Sequence, residues 1–192
     1  MTDKLLMREI ENAIKVLENG GIILYPTDTI WGIGCDATNK IAIEKIYHIK
    51  KREKNKSMIV LLDDIENLKN YVNNIPSSAY DLIKNTERPL TIIYPNAKNL
   101  AENVIAADGS IAIRIPNNEF CTKLIRAFGK PIVSTSANFS GEPSAVNFEK
   151  ILPTLLPQMD YIVQIYHHQM IEAKPSRIIK LNVDGGFVVI RD

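Results

Sequence analysis

Long apolar runs are missing from this chain. Nowhere do apolar residues approach the roughly 20 in succession that a membrane-spanning helix requires, so a membrane protein is not indicated. Cysteine is scarce: Cys35 and Cys121 stand alone without C-x-x-C spacing, which argues against both a disulfide framework and a zinc site. Charge of one sign is not in excess either, and a formal net charge of +1 speaks against a polycation with a large nucleic-acid footprint. There is no glycine-rich Walker A pattern and no Gly-x-Ser-x-Gly elbow. Gly32-x-Gly34 begins like a dinucleotide fingerprint, but Ala37 stands where the third glycine belongs and no helix follows at once. His48, His167 and His168 lack metal-like spacing with carboxylates and are expected on the surface. The N-terminus leads into an amphipathic helix rather than a signal-peptide core. These absences leave a reduced, soluble, cytoplasmic protein with no membrane partner, and its 192 residues suffice for a single domain over 1–192.

What is present is an alternation of helices and strands. Leu6, Ile10, Ala13, Ile14 and Leu17 fall at helical spacing over 3–19, and Gly20-Gly21 ends that helix. A buried strand over Ile22–Tyr25 opens into a polar loop, and a helix over 39–51 turns Ile41, Ile46 and Ile49 inward and its lysines outward. Further strands are predicted at Met58–Leu62, Leu90–Tyr94, Ile111–Ile115, Pro131–Ser134, Tyr161–Ile165, Ile178–Leu181 and Phe187–Ile190, the last two flanking the Asp184-Gly185-Gly186 hairpin signal. Helices are predicted after Asp63-Asp64, over Pro76–Thr86 and Glu119–Phe128, and briefly after Glu142-Pro143. The pattern is α/β or α+β with a mixed sheet.

Three clusters carry chemistry. Pro26-Thr27-Asp28-Thr29-Ile30-Trp31-Gly32 crowds hydroxyls, a carboxylate and an aromatic just beyond a strand, where α/β folds place ligands. Asp28 there can bind magnesium or cap a turn, and the turn is favoured. From Lys40 to Lys56 seven Lys/Arg face two Glu, a local +5. Lys51 and Lys54 read equally well as a solvated helix end, whereas Lys50, Arg52 and Lys56 flank a turn and are placed to clamp phosphates. Ser134-Thr135-Ser136-Ala137-Asn138 holds more hydroxyls than one helix cap requires. Arg114 interrupts an apolar strand; on an exposed face it is unremarkable, in a cleft it is a carboxylate receptor. With no evident nucleophile, these groups favour binding and aligning reactants over covalent catalysis.

These segments, in this order and spacing from about Gly20 to Arg191, resemble the YrdC-like family of L-threonylcarbamoyladenylate synthases in its short single-domain form. The carriers are Pro26-Thr27-Asp28-Thr29, Gly32-Ile33-Gly34-Cys35-Asp36, Lys50-x-Arg52, Ala112-Ile113-Arg114-Ile115-Pro116, Ser134–Asn138 with Ser140-Gly141, and Pro175-Ser176. The resemblance implies a twisted, open mixed β-sheet with flanking helices and a basic concave cavity. It implies joining of L-threonine, bicarbonate or carbon dioxide, and ATP with Mg2+ into threonylcarbamoyl-AMP and pyrophosphate. A tRNA threonylcarbamoyltransferase would then modify the adenosine beside the anticodon. The family pattern puts Thr29, Arg114, Thr135 and Ser176 around threonine, and Lys50, Arg52, Lys56, Ser110, Ser136, Asn138, Ser144 and Arg191 around ATP, Lys50 and Arg52 being catalytic. No metal site of the chain's own is implied, because the triphosphate and water would hold magnesium. Glu53, Ser57, Leu61 and Arg177 depart from the family's usual residues. The competing expectations are a non-enzymatic RNA-binding module of the same fold, with weak tRNA contact, and a carbamoyl-transfer domain of the hydrogenase-maturation type, which sits in much longer chains.

Overall fold

The computed structural model describes residues 3–54, 56–145, 147–167, 175–182 and 184–192. Helix α1 (Asp3–Glu18) buries Leu6, Ile10, Ala13 and Leu17 on one stripe. It stops where Gly20 adopts φ +68°, which lets the Gly20 and Gly21 amides return to the Leu17 and Val16 carbonyls at 3.0 and 2.9 Å. Strands β1 (Ile23–Tyr25) and β2 (Gly32–Gly34) follow, then helix α2 (Lys40–Lys50) and strand β3 (Ile59–Leu61). After a 3-10 turn at Ile65–Asn70 come α3 (Ser77–Lys84), β4 (Leu90–Tyr94), β5 (Ile111–Arg114), α4 (Glu119–Phe128) and β6 (Ile132–Ser136). Strands β7 (Tyr161–Ile162), β8 (Arg177–Leu181) and β9 (Phe187–Arg191) complete the order.

Among the described residues nine strands form one open mixed sheet in the order β7-β1-β2-β6-β3-β5-β4-β8-β9. Pairs β1/β7, β3/β5 and β4/β8 are parallel and the others antiparallel. β6 is the seam, pairing Ile132–Ser134 with β3 and Thr135–Ser136 with β2. Alternate side chains go to opposite faces. Ile22, Leu24, Ile33, Val60, Ile113 and Val133 join α2 and α3 in the larger core. Ile23, Tyr25, Leu61 and Ile132 join α1 and α4 in the smaller one.

Several boundaries differ from the sequence reading. The polar loop after β1 contains a strand, because Gly32 and Gly34 let the chain press against its neighbours. A Cβ at Gly34 would sit 2.5 Å from the Val133 carbonyl oxygen and 2.7 Å from Tyr25 Cε1. The strand expected to end at Ser134 runs on to Ser136, since β2 supplies it with a partner. On α2 the inward face is Ala42, Ile43, Ile46, Tyr47 and Lys50; Ile41 is 73 % exposed, and Lys50, expected outward, is 1 % exposed. Pro76 precedes α3 as its N-cap rather than lying in its first turn, and Asn85 and Thr86 fall outside it. The segments after Asp64 and after Pro143 make 3-10 turns, at Ile65–Asn70 and Phe148–Lys150. Of the strand predicted over Tyr161–Ile165, Tyr161–Ile162 pairs in the sheet. The hairpin is present, with Gly185 at φ +89°.

Because Gly34 meets backbone on one side and a buried ring on the other, Gly34→Ala should lower stability by about 1–3 kcal/mol or more. At Gly129, where φ is +74° but nothing lies within 4 Å of the added carbon, alanine should cost only about 1 kcal/mol of backbone strain. Urea unfolding of the two variants checks the ranking.

Candidate active site

The strand residues Gly32, Ile59, Arg114, Ser134, Ser136 and Ile178 all line one cavity of about 250 Å³. Each has the parity opposite to that of the larger core, so they share the sheet face on which α1 and α4 pack. Those helices cover only the part of this face near β1 and the start of β6. The uncovered part is the cavity. Loops complete it: Thr27, Thr29 and Ile30 after β1, Arg52, Ser57 and Met58 after α2, then Ser144, Pro175 and Ser176. Arg191 closes it from β9.

Its charge is one-sided. Three guanidiniums, of Arg52, Arg114 and Arg191, line it with no carboxylate among the lining residues. Each is held by the chain itself. Arg52 donates from Nε to the Lys56 carbonyl (2.8 Å) and from Nη2 to the Ser57 carbonyl (2.9 Å). Arg191 donates from Nε and Nη2 to the Ser176 carbonyl (3.2 and 2.7 Å). Arg114, 4 % exposed, uses Nη1 for both its contacts: Asp28 Oδ1 at 3.0 Å and Thr29 Oγ1 at 3.0 Å. Its Nε is buried without a partner. The guanidinium thus keeps unused donor capacity at the cavity that it lines, of the kind that takes a carboxylate. Burial lowers the pKa of Arg52, and burial with the Arg114 charge lowers that of Arg191. An incoming anion would relieve both.

Of the residues predicted from sequence, Thr29, Arg52, Arg114, Thr135, Ser136, Ser144, Ser176 and Arg191 line the cavity. Lys50, Asn138, Lys56 and Ser110 do not. Lys50 lies beneath the β6 loop, its ammonium donating to the carbonyls of Ser136 and Asn138 and to Asn138 Oδ1 at 3.2 Å. Asn138 is bonded in turn to the Ser136 hydroxyl and, through its amide nitrogen, to the Glu142 carbonyl. Burial, then the charge of Arg52, pulls the Lys50 ammonium down to about 7. Lys56 is exposed and pairs with Glu53 at 3.4 Å. The Ser110 hydroxyl donates to Asp108 at 2.5 Å, and Asp108, held by Lys180 and Ser110, sits well below the usual carboxylate range.

Other groups at the site were not assigned to threonine or ATP from sequence. Asp28 balances Arg114 and accepts the Asn117 amide at 3.1 Å, so the turn reading and a charge-pair role coincide. Thr27 lies behind Thr29. Thr91, within what reads as an apolar strand, shares a 2.7 Å hydrogen bond with Ser176. The signal for Thr91 was its period-2 phase with Arg114, its partner across β4 and β5. His48 is exposed as expected, and His168 lies outside the described residues. His167 is not a plain surface residue: its ring stacks on Phe148 at 3.8 Å and meets Trp31 edge-on at 5.3 Å. Among the described residues no group of three His, Cys, Asp or Glu is set to hold a metal, and no helix is long and apolar enough to cross a membrane.

An open mixed sheet carrying a cationic, hydroxyl-lined cavity on its uncovered face is an α/β architecture suited to an anionic ligand. The model of the Sua5/YciO/YrdC family, described as telomere recombination, matches residues 15–192, and the chain belongs to that family. A threonylcarbamoyl-AMP synthase of Pseudoalteromonas translucida is 34% identical over 157 residues, 80% of this chain and 84% of that protein. One of Xanthomonas oryzae pv. oryzae is 33% identical over the same shares. P. abyssi Sua5 complexed with L-threonine superposes with a TM-score of 0.87 at 26% identity, covering 95% of this chain and 53% of that one, so the chain spans about half of it. E. coli YciO gives 0.83 at 29% identity, covering 96% and 89%. Full-length HypF, at 24% identity and 28% of its length, shares the fold alone.

The depressed Lys50 sets a pH dependence. Between about 7 and 10.5 the unfolded chain keeps the lysine proton while the folded chain has released it, so stability rises with pH across that window. At and below the lower bound both states are charged and the desolvation cost is complete. Wild-type unfolding free energy relative to Lys50→Met should therefore grow by on the order of a few kcal/mol through the window. Urea unfolding across it checks this, and a flat difference would refute it.

Proposed function

We propose that this protein is an L-threonylcarbamoyladenylate synthase, joining L-threonine, bicarbonate or carbon dioxide, and ATP into threonylcarbamoyl-AMP and pyrophosphate. The observation that carries the reading is the unspent donor capacity of Arg114 beside Thr29, in a cavity that the anchored guanidiniums of Arg52 and Arg191 also line. The named activity of relatives at 33–34% identity supports it. The L-threonine complex of P. abyssi Sua5 supports the substrate.

In this reading the Arg114 guanidinium takes the threonine carboxylate, and Thr29, Thr135 and Ser176 surround the rest of the amino acid. The unprotonated amine adds to carbon dioxide, giving a carbamate and releasing one proton. A carbamate oxygen then attacks the α-phosphorus of ATP, the new P–O bond forming as the bond to pyrophosphate breaks. Such a displacement needs alignment and charge neutralisation rather than a protein nucleophile. Arg52 and Arg191 meet the triphosphate, with Ser136 and Ser144 as hydroxyl donors, and magnesium arrives on the nucleotide as part of the substrate. Lys50 and Asn138 act by holding the Ser136 loop in place. Lys56 reaches the phosphates by leaving Glu53, and Ser110 contributes from the start of β5. The product passes to a tRNA threonylcarbamoyltransferase, in the cytoplasm.

The RNA-binding module is disfavoured by how the basic segment is used. Lys40 pairs with Glu102, Lys54 with Glu44 and Lys56 with Glu53, while Lys45 donates to the Gly20 carbonyl. Few cations remain there to release counterions from a phosphate backbone.

Pyrophosphate release from ATP and magnesium should require both L-threonine and bicarbonate, with L-valine at least about a hundredfold poorer. Arg114→Ala should raise the threonine KM by roughly 10- to 100-fold, the value of a charge-assisted hydrogen-bonded pair. Arg52→Ala should instead cripple ATP use. Wild-type kinetics in both variants, or release without threonine, would refute the assignment.

A further inference from the structure

Paired hydroxyls usually leave open which oxygen donates, but in the loop after β1 the direction is forced. Thr27 Oγ1 lies 2.7 Å from the Ile30 carbonyl, which can only accept, so the single Thr27 proton goes there. Thr27 Oγ1 also accepts the Thr29 amide at 3.0 Å. The 3.0 Å contact between the two hydroxyls must then be a donation from Thr29 to Thr27. On its other side Thr29 Oγ1 accepts from Arg114 Nη1, which can only donate. The chain runs one way, from the Arg114 guanidinium through Thr29 and Thr27 to a backbone carbonyl. Both threonines are nearly buried, at 4 % and 1 % exposure, and each step of the chain is a direct contact.

After this wiring Thr27 has no free lone pair and no free proton. Thr29, which lines the cavity, retains one lone pair and no proton. We propose that Thr27 is a specificity-determining positioning residue: by taking the Thr29 proton it presents Thr29 to the cavity as a pure acceptor, selecting an amino acid whose β-substituent donates a hydrogen bond. This deepens the synthase reading and rests on it. The other hydroxyl pair at the site has no such polarity, because in Thr91–Ser176 either oxygen can donate. Ser176 therefore tolerates a donor or an acceptor, and the discrimination falls to Thr29. An acceptor facing an acceptor repels, and an apolar group leaves the buried lone pair unpaired.

The test compares calorimetric affinities for L-threonine and its 3-fluoro analogue, in which fluorine replaces the hydroxyl and cannot donate. Wild-type protein should favour threonine by about tenfold or more. Thr27→Val removes the acceptor, frees the Thr29 proton, and should bring the ratio to within about threefold; Thr27→Ser, which keeps the hydroxyl, should restore it. Taking the ratio within each protein cancels the effect of fluorine on the amine. An unchanged ratio in Thr27→Val overturns the proposal. Neutron diffraction on wild-type crystals exchanged into heavy water tests it without any variant. Deuterium on Thr29 should point to Thr27 Oγ1 and that on Thr27 to the Ile30 carbonyl, and a Thr29 deuterium aimed into the cavity overturns it. Wild-type protein that binds no threonine would refute the synthase reading and the specificity drawn from it, whereas bound threonine with an unaltered ratio would refute only the role of Thr27.

Discussion

One buried ammonium ties the site together. Lys50 ends α2, and its proton donors hold the carbonyls of Ser136 and Asn138 at the end of β6. Its own carbonyl accepts the Ser140 amide at 2.8 Å, so helix and loop are fastened at two points. The left-handed turn at Lys51 immediately redirects the chain, and Arg52 then pins the turn from within by bonding to Lys56 and Ser57. A buried lysine is costly unless its donors are satisfied. Here the acceptors are backbone oxygens at and just beyond the end of β6, where Ser136 pairs with β2. Losing the Lys50 side chain would release the loop that presents Thr135 and Ser136 and leave those oxygens without a donor.

The cations of the cavity follow a different logic. Arg52, Arg114 and Arg191 crowd one face, and among the described residues Asp28 compensates, beside Arg114. The protein tolerates this because each guanidinium is anchored by oxygens of the chain itself. Anchoring fixes position before any ligand arrives, which lowers the ordering cost on binding. The residual positive charge then favours a ligand carrying several negative charges. That matches a triphosphate beside a carboxylate, and it suits a reaction whose transition state gathers charge on phosphoryl oxygens.

Much of this was legible in the residues. The alternation Ile111, Ala112, Ile113, Arg114 announces that Arg114 leaves the core face, and the structure puts it in the cavity. The clustered hydroxyls of Ser134–Ser136 and the basic turn at Arg52 likewise come to the same cavity. Less visible were features set by contacts distant in sequence. Gly32–Gly34 has no side chains to reveal a strand, and only its neighbours β1 and β6 make it one. Lys50 reads as a solvated lysine because the carbonyls that bury it lie more than 80 residues away. Thr91 is hidden for a similar reason: its partner Ser176 is 85 residues distant.

Hydrogen-bond direction is where geometry becomes selectivity. A cavity lined by freely turning hydroxyls would accommodate donors and acceptors alike, because each rotor can adjust to what enters. Removing that freedom takes a terminus that can only donate, a terminus that can only accept, and no water between. Arg114 and the Ile30 carbonyl are such termini, and the steps between them through Thr29 and Thr27 are direct contacts. The same arginine that offers donors for a carboxylate thus also orients the hydroxyl beside it. A carboxylate and a β-hydroxyl are two carbon atoms apart in a β-hydroxy amino acid, and Arg114 and Thr29 stand as adjacent readers for both. Asp28 completes the device from the same side, its carboxylate 3.0 Å from the Nη1 that bonds Thr29, so that two contacts fix that nitrogen in place.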